Sequence, residues 1–187
     1  MAAPQPGIAG DGIDAPHIQD GVGNPDGLAR LWTPHRLAYV AAAPANGAAP
    51  ACPFCRIPTL PDGDGLIVAR GRHVYAVLNL YPYNPGHLMV VPYRHVAEYT
   101  DASGDEVAEI AEFTRHAMTV IRAVSAPHGF NIGINSGAAA GAGIAAHLHQ
   151  HVVPRWDGDA NFMPVIGHTK VLPQLLGQTR DMLAASW

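Results

Sequence analysis

An α+β fold, an antiparallel sheet with a long helix and a C-terminal helix packed on it, is what the amino-acid sequence predicts. Short apolar runs rich in Val, Leu and Ile recur between residues 66 and 91, separated by turns built from Gly, Pro and Asn. That is the pattern of an antiparallel meander. Residues 103–125 instead repeat apolar side chains at a spacing of about 3.6, the period of a helix with one buried face. Two further strand-like runs, 130–135 and 148–155, follow before a second helical pattern closes the chain.

The 187 residues suffice for one domain with a substantial core. Apolar residues make up 48%, as in globular rather than disordered chains. A formal charge of −4 and a pI near 6.2 argue against a nucleic-acid surface, which needs a basic field. No run of about 18 apolar residues offers a membrane span, and no charged segment leads into an apolar stretch near the N-terminus. The chain therefore reads as cytoplasmic, with neither nucleic acid nor membrane as a partner.

Residues 1–26 are rich in Gly, Ala, Pro and Asp without periodicity and read as a mobile N-terminal arm, leaving one domain at 27–187. Leu28 to Val40, with Leu31, Trp32 and Leu37, reads as a short helix or turn. Ala41 to Ala51 is a low-complexity connector that leads into Cys52-Pro53-Phe54-Cys55, which holds both cysteines of the chain. One C-x-x-C is compatible with a disulfide, a redox pair or half a zinc site. Zinc would require two more ligands, and histidines are plentiful.

The meander comprises strands at 66–70, 74–79 and 88–91, with a turn at Gly71-Arg72 and a loop from Tyr81 to Gly86. Asn79 closes an apolar run, where a polar residue serves either as a loop-capping amide or as a ligand contact. His87, at a strand start, reads as structural. Ser103 is placed to cap the long helix, with Glu106 completing a capping box. Val107, Ile110, Ala111, Ala117, Met118, Ile121 and Val124 form its sheet-facing stripe, and Glu109, Glu112 and Arg115 face water. His116 reads as surface or half-buried, and Pro127-His128-Gly129 stops the helix. A turn at Asp157-Gly158-Asp159 follows the last strand. The final helix, about 172–185, buries Leu175, Leu176, Met182 and Leu183.

The chemistry concentrates in His147-Leu148-His149-Gln150-His151-Val152-Val153-Pro154-Arg155. In an extended segment, side chains at i, i+2 and i+4 project from one face, so three imidazoles converge. Three close polar rings each need a partner, which a bland structural strand would not demand. Just upstream, Asn135 to Gly143 is a loop of small residues that lets a ligand approach the backbone.

These residues resemble the histidine-triad (HIT) superfamily of nucleotide hydrolases and transferases, whose signature is His-apolar-His-x-His-apolar-apolar. Asn79 to Pro92 is similar to the ribose-binding half of that fold, and Asn131 to Asn135 to the strand before its phosphate loop. Trp156 to Gly167 and Leu31-Trp32-Thr33-Pro34 look like the actinobacterial diadenosine tetraphosphate phosphorylase branch. The resemblance covers roughly residues 20 to 187 and implies a HIT fold for the domain at 27–187.

What the resemblance implies is specific. His149 attacks phosphorus and carries a nucleotidyl intermediate, its tautomer held by the carbonyl of His147, while His151 bonds the phosphate or the leaving group. Asn79 contacts ribose, and Asn135, Ser136, Gly137 and Gly143, with the loop amides between the last two, cradle phosphate oxygens. Cys52, Cys55, His95 and His147 bind a structural zinc whose closed shell leaves no place for a catalytic water. Magnesium, if used, arrives with the polyphosphate substrate. The substrate is an adenine dinucleotide or an AMP derivative, and the protein pairs as a homodimer or higher homo-oligomer. Two departures stand out. Gln150 replaces an apolar residue on the face opposite the histidines. Ala142-Gly143 stands where the phosphorylase branch carries Gly-Ser, which leaves phosphorolysis and hydrolysis both open. The alternatives are a hydrolase or phosphoramidase on AMP derivatives, an enzyme of a pathway-specific nucleotide, and a non-catalytic nucleotide-binding module.

Overall fold

The computed structural model describes residues 52–159 and 174–187, all within one compact unit, Pro44–Trp187. The N-terminal arm, the Leu28 to Val40 element, the connector and the 161–166 segment lie outside the described residues. A short helix, α1 (Pro53–Arg56), opens the described chain with Pro53 in its first turn, where a missing N–H costs nothing. Strands β1 (Ile67–Arg70), β2 (Val74–Leu78) and β3 (Leu88–Pro92) follow. Helix α2 (Gly104–Ser125), β4 (Gly129–Ile134), β5 (Gln150–Arg155) and helix α3 (Leu176–Ala185) complete the fold. The strands form one antiparallel sheet in the order β1-β2-β3-β5-β4.

Every residue of β2 and β3 is buried, because both faces of the sheet's centre are covered. On one face Val74, Ala76, Leu78, Leu88, Val90 and Val152 meet Ile110, Ala117, Val120 and Ile121 of α2 and Leu183 of α3. Fully burying each large aliphatic side chain contributes roughly 1.5–3 kcal/mol. On the other face Ile67, Tyr75, Val77, Met89 and Val91 pack with Phe54. Both α2 and α3 pack on the sheet, as the sequence predicts, and both lie on the same side of it. Among the described residues, no helix is long and apolar enough to cross a membrane.

The capping box forms as predicted: Glu106 N–H donates to Ser103 Oγ at 3.2 Å, and Ser103 N–H to Glu106 Oε2 at 2.7 Å. Arg94 also donates to Glu106, holding its carboxyl down at about 2. Other expectations are corrected. Glu109 is half-buried rather than a freely solvated charge; its carboxylate accepts the backbone N–H groups of Arg72, His73 and Val74 at 2.9, 2.5 and 3.0 Å. It pins the β1–β2 turn, and a Cβ on Gly71 would lie 2.7 Å from both the Glu109 carboxylate and the Phe113 ring. Ala111 is exposed, and Thr114 is buried in the helix's inner face instead. Leu175 is 71% exposed, because α3 begins only after it and turns it outward. The last strand begins at Gln150 rather than Leu148, so His147 and His149 precede the ladder. Gln150 does point away from the histidines, its amide donating to Thr114 Oγ1 at 2.5 Å.

Candidate active site

The register of the central strands builds the site. β3 and β5 pair Met89 with His151, and β4 and β5 pair Gly133 with His151, so His151 sits mid-sheet on the face opposite the helices. The residues before β5 are extended by another bond: Leu148 N–H donates to Val96 O at 2.6 Å. That bond draws the segment after β3, including His95, against His147. Leu148 turns into the helix-side core, and His147 and His149 turn the other way, buried to 1% and 5% exposure.

Hydrogen bonds assign the tautomers. His149 Nδ1 lies 2.7 Å from the carbonyl oxygen of His147, which can only accept, so Nδ1 carries the proton. Nε2 of the neutral ring is then a free lone pair. Burial pushes the His149 pKa down, partly offset by that carbonyl. His151 is fixed from the other direction. Tyr83 N–H donates to His87 Nδ1 at 3.0 Å, so His87 Nε2 carries the proton and donates to His151 Nδ1 at 2.9 Å. His151 therefore keeps its own proton on Nε2 when neutral. Burial first, and then neighbouring His149, lower its pKa to about 4. The rings of His149 and His151 stand edge-on, 5.0 Å between centroids. A buried lone pair and an N–H donor thus share one surface, which suits attack on an electrophile whose leaving group needs a proton or hydrogen bond.

Behind the triad lies a metal-ligand cluster. The donor atoms of Cys52, Cys55, His95 and His147 all lie within 4.8 Å of one another. Cys52 Sγ is 3.3 Å from His147 Nδ1, and Cys55 Sγ is 3.3 Å from His95 Nδ1 and 3.6 Å from His147 Nδ1. Tetrahedral bonds of about 2.3 Å to sulfur and 2.0 Å to nitrogen give sulfur–nitrogen edges of about 3.5 Å, so the set fits such an ion. His147 Nε2 donates to Pro92 O at 2.9 Å, which leaves Nδ1 as the ligating lone pair. Desolvation and the adjacent Cys52 push the Cys55 thiol up, the condition a bound cation would relieve.

The phosphate-loop residues are placed less closely. The pairing Ile134↔Gln150 ends the β4–β5 ladder, so Asn135 leaves β4 at the end of the sheet where the chain from His149 enters β5. Gly137 adopts φ +80° and Gly141 φ +88°, left-handed conformations that give the small-residue loop its turns. Gly143 is exposed. Ser136 is engaged elsewhere, its hydroxyl donating to Glu98 Oε2 at 2.6 Å. Asn79 Oδ1 accepts from Tyr81 N–H at 2.9 Å, the loop-capping role, which leaves its NH2 to serve a ligand.

Residues 62–158 match the HIT domain family. The chain belongs to the HIT family. It is 59% identical to the AP-4-A phosphorylase of Mycobacterium tuberculosis strain H37Rv over 172 residues, 89% of this chain and 88% of that protein. It is 36% identical over 84 residues to the asymmetrical bis(5'-nucleosyl)-tetraphosphatase of Schizosaccharomyces pombe, 45% of this chain and 46% of that one. Among solved structures, it is similar to a Zn-bound histidine triad family protein from Mycobacterium smegmatis, with a TM-score of 0.60 and 27% identity over 73% of this chain and 92% of that one.

Within this HIT fold, two residues that the sequence alone treats as structural or passes over touch the histidine cluster. His87 is not an isolated structural histidine but the link that orients His151. Its signal is Asn84-Pro85-Gly86-His87, where Gly86 adopts φ +75° and the Asn84 amide donates to Pro154 O and Asp159 Oδ2 at 2.9 and 2.7 Å. Phe54, between the cysteines, is 4% exposed and lies with its ring centroid 4.9 Å from that of His149. An apolar residue inside a C-x-x-C pair carries no periodic signal, so only tertiary contact reveals it.

Proposed function

We propose that this HIT enzyme cleaves diadenosine tetraphosphate, or a related dinucleoside polyphosphate, through a nucleotidyl–His149 intermediate. The observation that carries the reading is the bond from His149 Nδ1 to the His147 carbonyl, which presents a buried, neutral Nε2 as nucleophile. His149 Nε2 attacks the phosphorus of the adenylyl group as the bond to the polyphosphate oxygen breaks. His151 Nε2–H faces the charge that develops on that leaving oxygen. The adenylyl group then passes to an acceptor, giving ADP with inorganic phosphate and AMP with water. Asn135 and the amides between Gly137 and Gly143 cradle the phosphates, joined by the Ser136 hydroxyl once it turns from Glu98, and the Asn79 NH2 meets ribose hydroxyls. The 59% identity with an AP-4-A phosphorylase supports phosphate as acceptor. Ala142-Gly143, where the notable serine of that branch is missing, favours the second reading, a hydrolase of polyphosphates or AMP derivatives.

Zinc is the metal we infer for Cys52, Cys55, His95 and His147, supported by the donor set and by the Zn-bound relative. It would neutralise the thiolates and clamp His147 without entering the reaction. Magnesium would travel with the polyphosphate rather than in a protein cage. A homodimer is consistent with β4 as a sheet edge carrying Ile132 at 45% exposure. The deciding experiment is product analysis on diadenosine tetraphosphate with and without inorganic phosphate. ADP plus ATP appearing only with phosphate establishes phosphorolysis; AMP plus ATP regardless of phosphate establishes hydrolysis; no cleavage rejects the substrate class.

A further inference from the structure

Three separate contacts converge on His147. Its Nδ1 stands with the sulfurs of Cys52 and Cys55, its Nε2 donates to Pro92 O, and its backbone carbonyl accepts the hydrogen bond from His149 Nδ1–H. With both ring nitrogens engaged and the residue 1% exposed, ring and backbone cannot move independently. Phe54 forms a second connection. It lies between the two cysteine ligands, and its ring centroid is 5.6 Å from that of His147 and 4.9 Å from that of His149. Its carbonyl accepts the buried Tyr75 hydroxyl at 2.7 Å, which ties the turn to β2. The turn that supplies the thiolates therefore also supplies the surface on which the nucleophile rests.

We propose that the metal corner is a positioning device for the nucleophile, with the His147 backbone and Phe54 transmitting its geometry to His149. The inference rests on the proposed reading of His149 as nucleophile and assigns Phe54 as a positioning residue. When the four ligands are gathered, the His147 carbonyl is held where it selects the Nδ1–H tautomer of His149. When they are released, the carbonyl and the Phe54 ring lose their fixed places, and His149 samples the Nε2–H tautomer, whose attacking nitrogen is blocked by a proton. A metal serving only local folding would leave that tautomer unchanged.

The test uses the full chain with zinc, the same chain stripped by chelator and reloaded, and the variants Phe54→Ala and Phe54→Leu. Metal content per chain, the imidazole ¹⁵N spectrum of His149, and kcat and KM on diadenosine tetraphosphate are measured. Stripping is expected to mix the two His149 tautomers and lower kcat about 10- to 100-fold with KM changed far less, and reloading to reverse both. Phe54→Ala, still holding about one zinc per chain, is expected to mix the tautomers and lower kcat similarly; Phe54→Leu restores most of it. A stripped chain that keeps the Nδ1–H tautomer and full kcat overturns the proposal. So does zinc-loaded Phe54→Ala that keeps both, even if the stripped chain unfolds. The spectrum needs no substrate, so a tautomer that responds in a protein inert toward the dinucleotide supports the positioning while rejecting the proposed function.

Discussion

The two faces of the sheet solve opposite problems. The helix face is a largely apolar layer in which Ile110, Ala117, Val120 and Ile121 meet β2, β3 and β5. The histidine face buries His87, His147 and His149 beside a smaller apolar cluster around Phe54, Tyr75 and Met89, and every ring depends on specific hydrogen bonds. One face gains stability from area, the other gains chemistry at the expense of desolvating polar groups. A substitution on the first should change how much protein is folded. One on the second should change what the folded protein can do.

The largest separation comes from the proposed nucleophile. His149→Ala should abolish the trapped nucleotidyl-enzyme and lower turnover at least about a thousandfold, while its urea midpoint moves much less than its rate. Ile121→Ala should do the converse, losing roughly 2–5 kcal/mol in urea denaturation with turnover per folded molecule retained. If Ile121→Ala instead lost turnover in the folded state, the two faces would not be separable. Next comes His87→Leu, which deprives His151 of its donor and should lower kcat about 10- to 100-fold. His87→Gln, able to accept from Tyr83 N–H and donate to His151, should recover part of that loss.

Acid should strip the two faces in sequence. His151 has its pKa lowered from 6.5 to about 4, so below pH 6.5 the unfolded chain binds a proton that the folded chain refuses. Stability on that account is complete above 6.5 and falls as the pH drops toward 4. Glu106, lowered from 4.5 to about 2, contributes stability above 4.5 that is lost only as the pH falls toward 2. Thermal melts scanned downward should show the histidine contribution fading first, and its removal in His151→Asn. The smallest effect expected is at the phosphate loop. Glu98 places a carboxylate on the Ser136 hydroxyl, in the loop proposed to hold the anionic substrate. Glu98→Gln should lower KM a few-fold with kcat nearly unchanged; a raised KM would mean that the carboxylate orders the loop.

Much of this molecule is legible in one dimension. The long helix and its capping box, the three-strand meander and the alternation that separates Gln150 from the histidines all follow from local periodicity and capping chemistry, which neighbours in sequence supply. The Cys52–Cys55 pair is legible locally as half a metal site, but its partners His95 and His147 were readable only through family resemblance, since nothing local joins residues so far apart. Tertiary structure alone decided the rest. Glu109 is drawn onto the β1–β2 turn because that turn brings three amide donors to it. Leu175 fails to bury because α3 starts beyond it. His87 and Phe54 acquire roles because sheet register and the turn between the cysteines press them against His151 and His149. The sequence by itself determined which residues could do chemistry; the fold decided which ring nitrogen carries each proton, because that depends on partners brought together across the sheet.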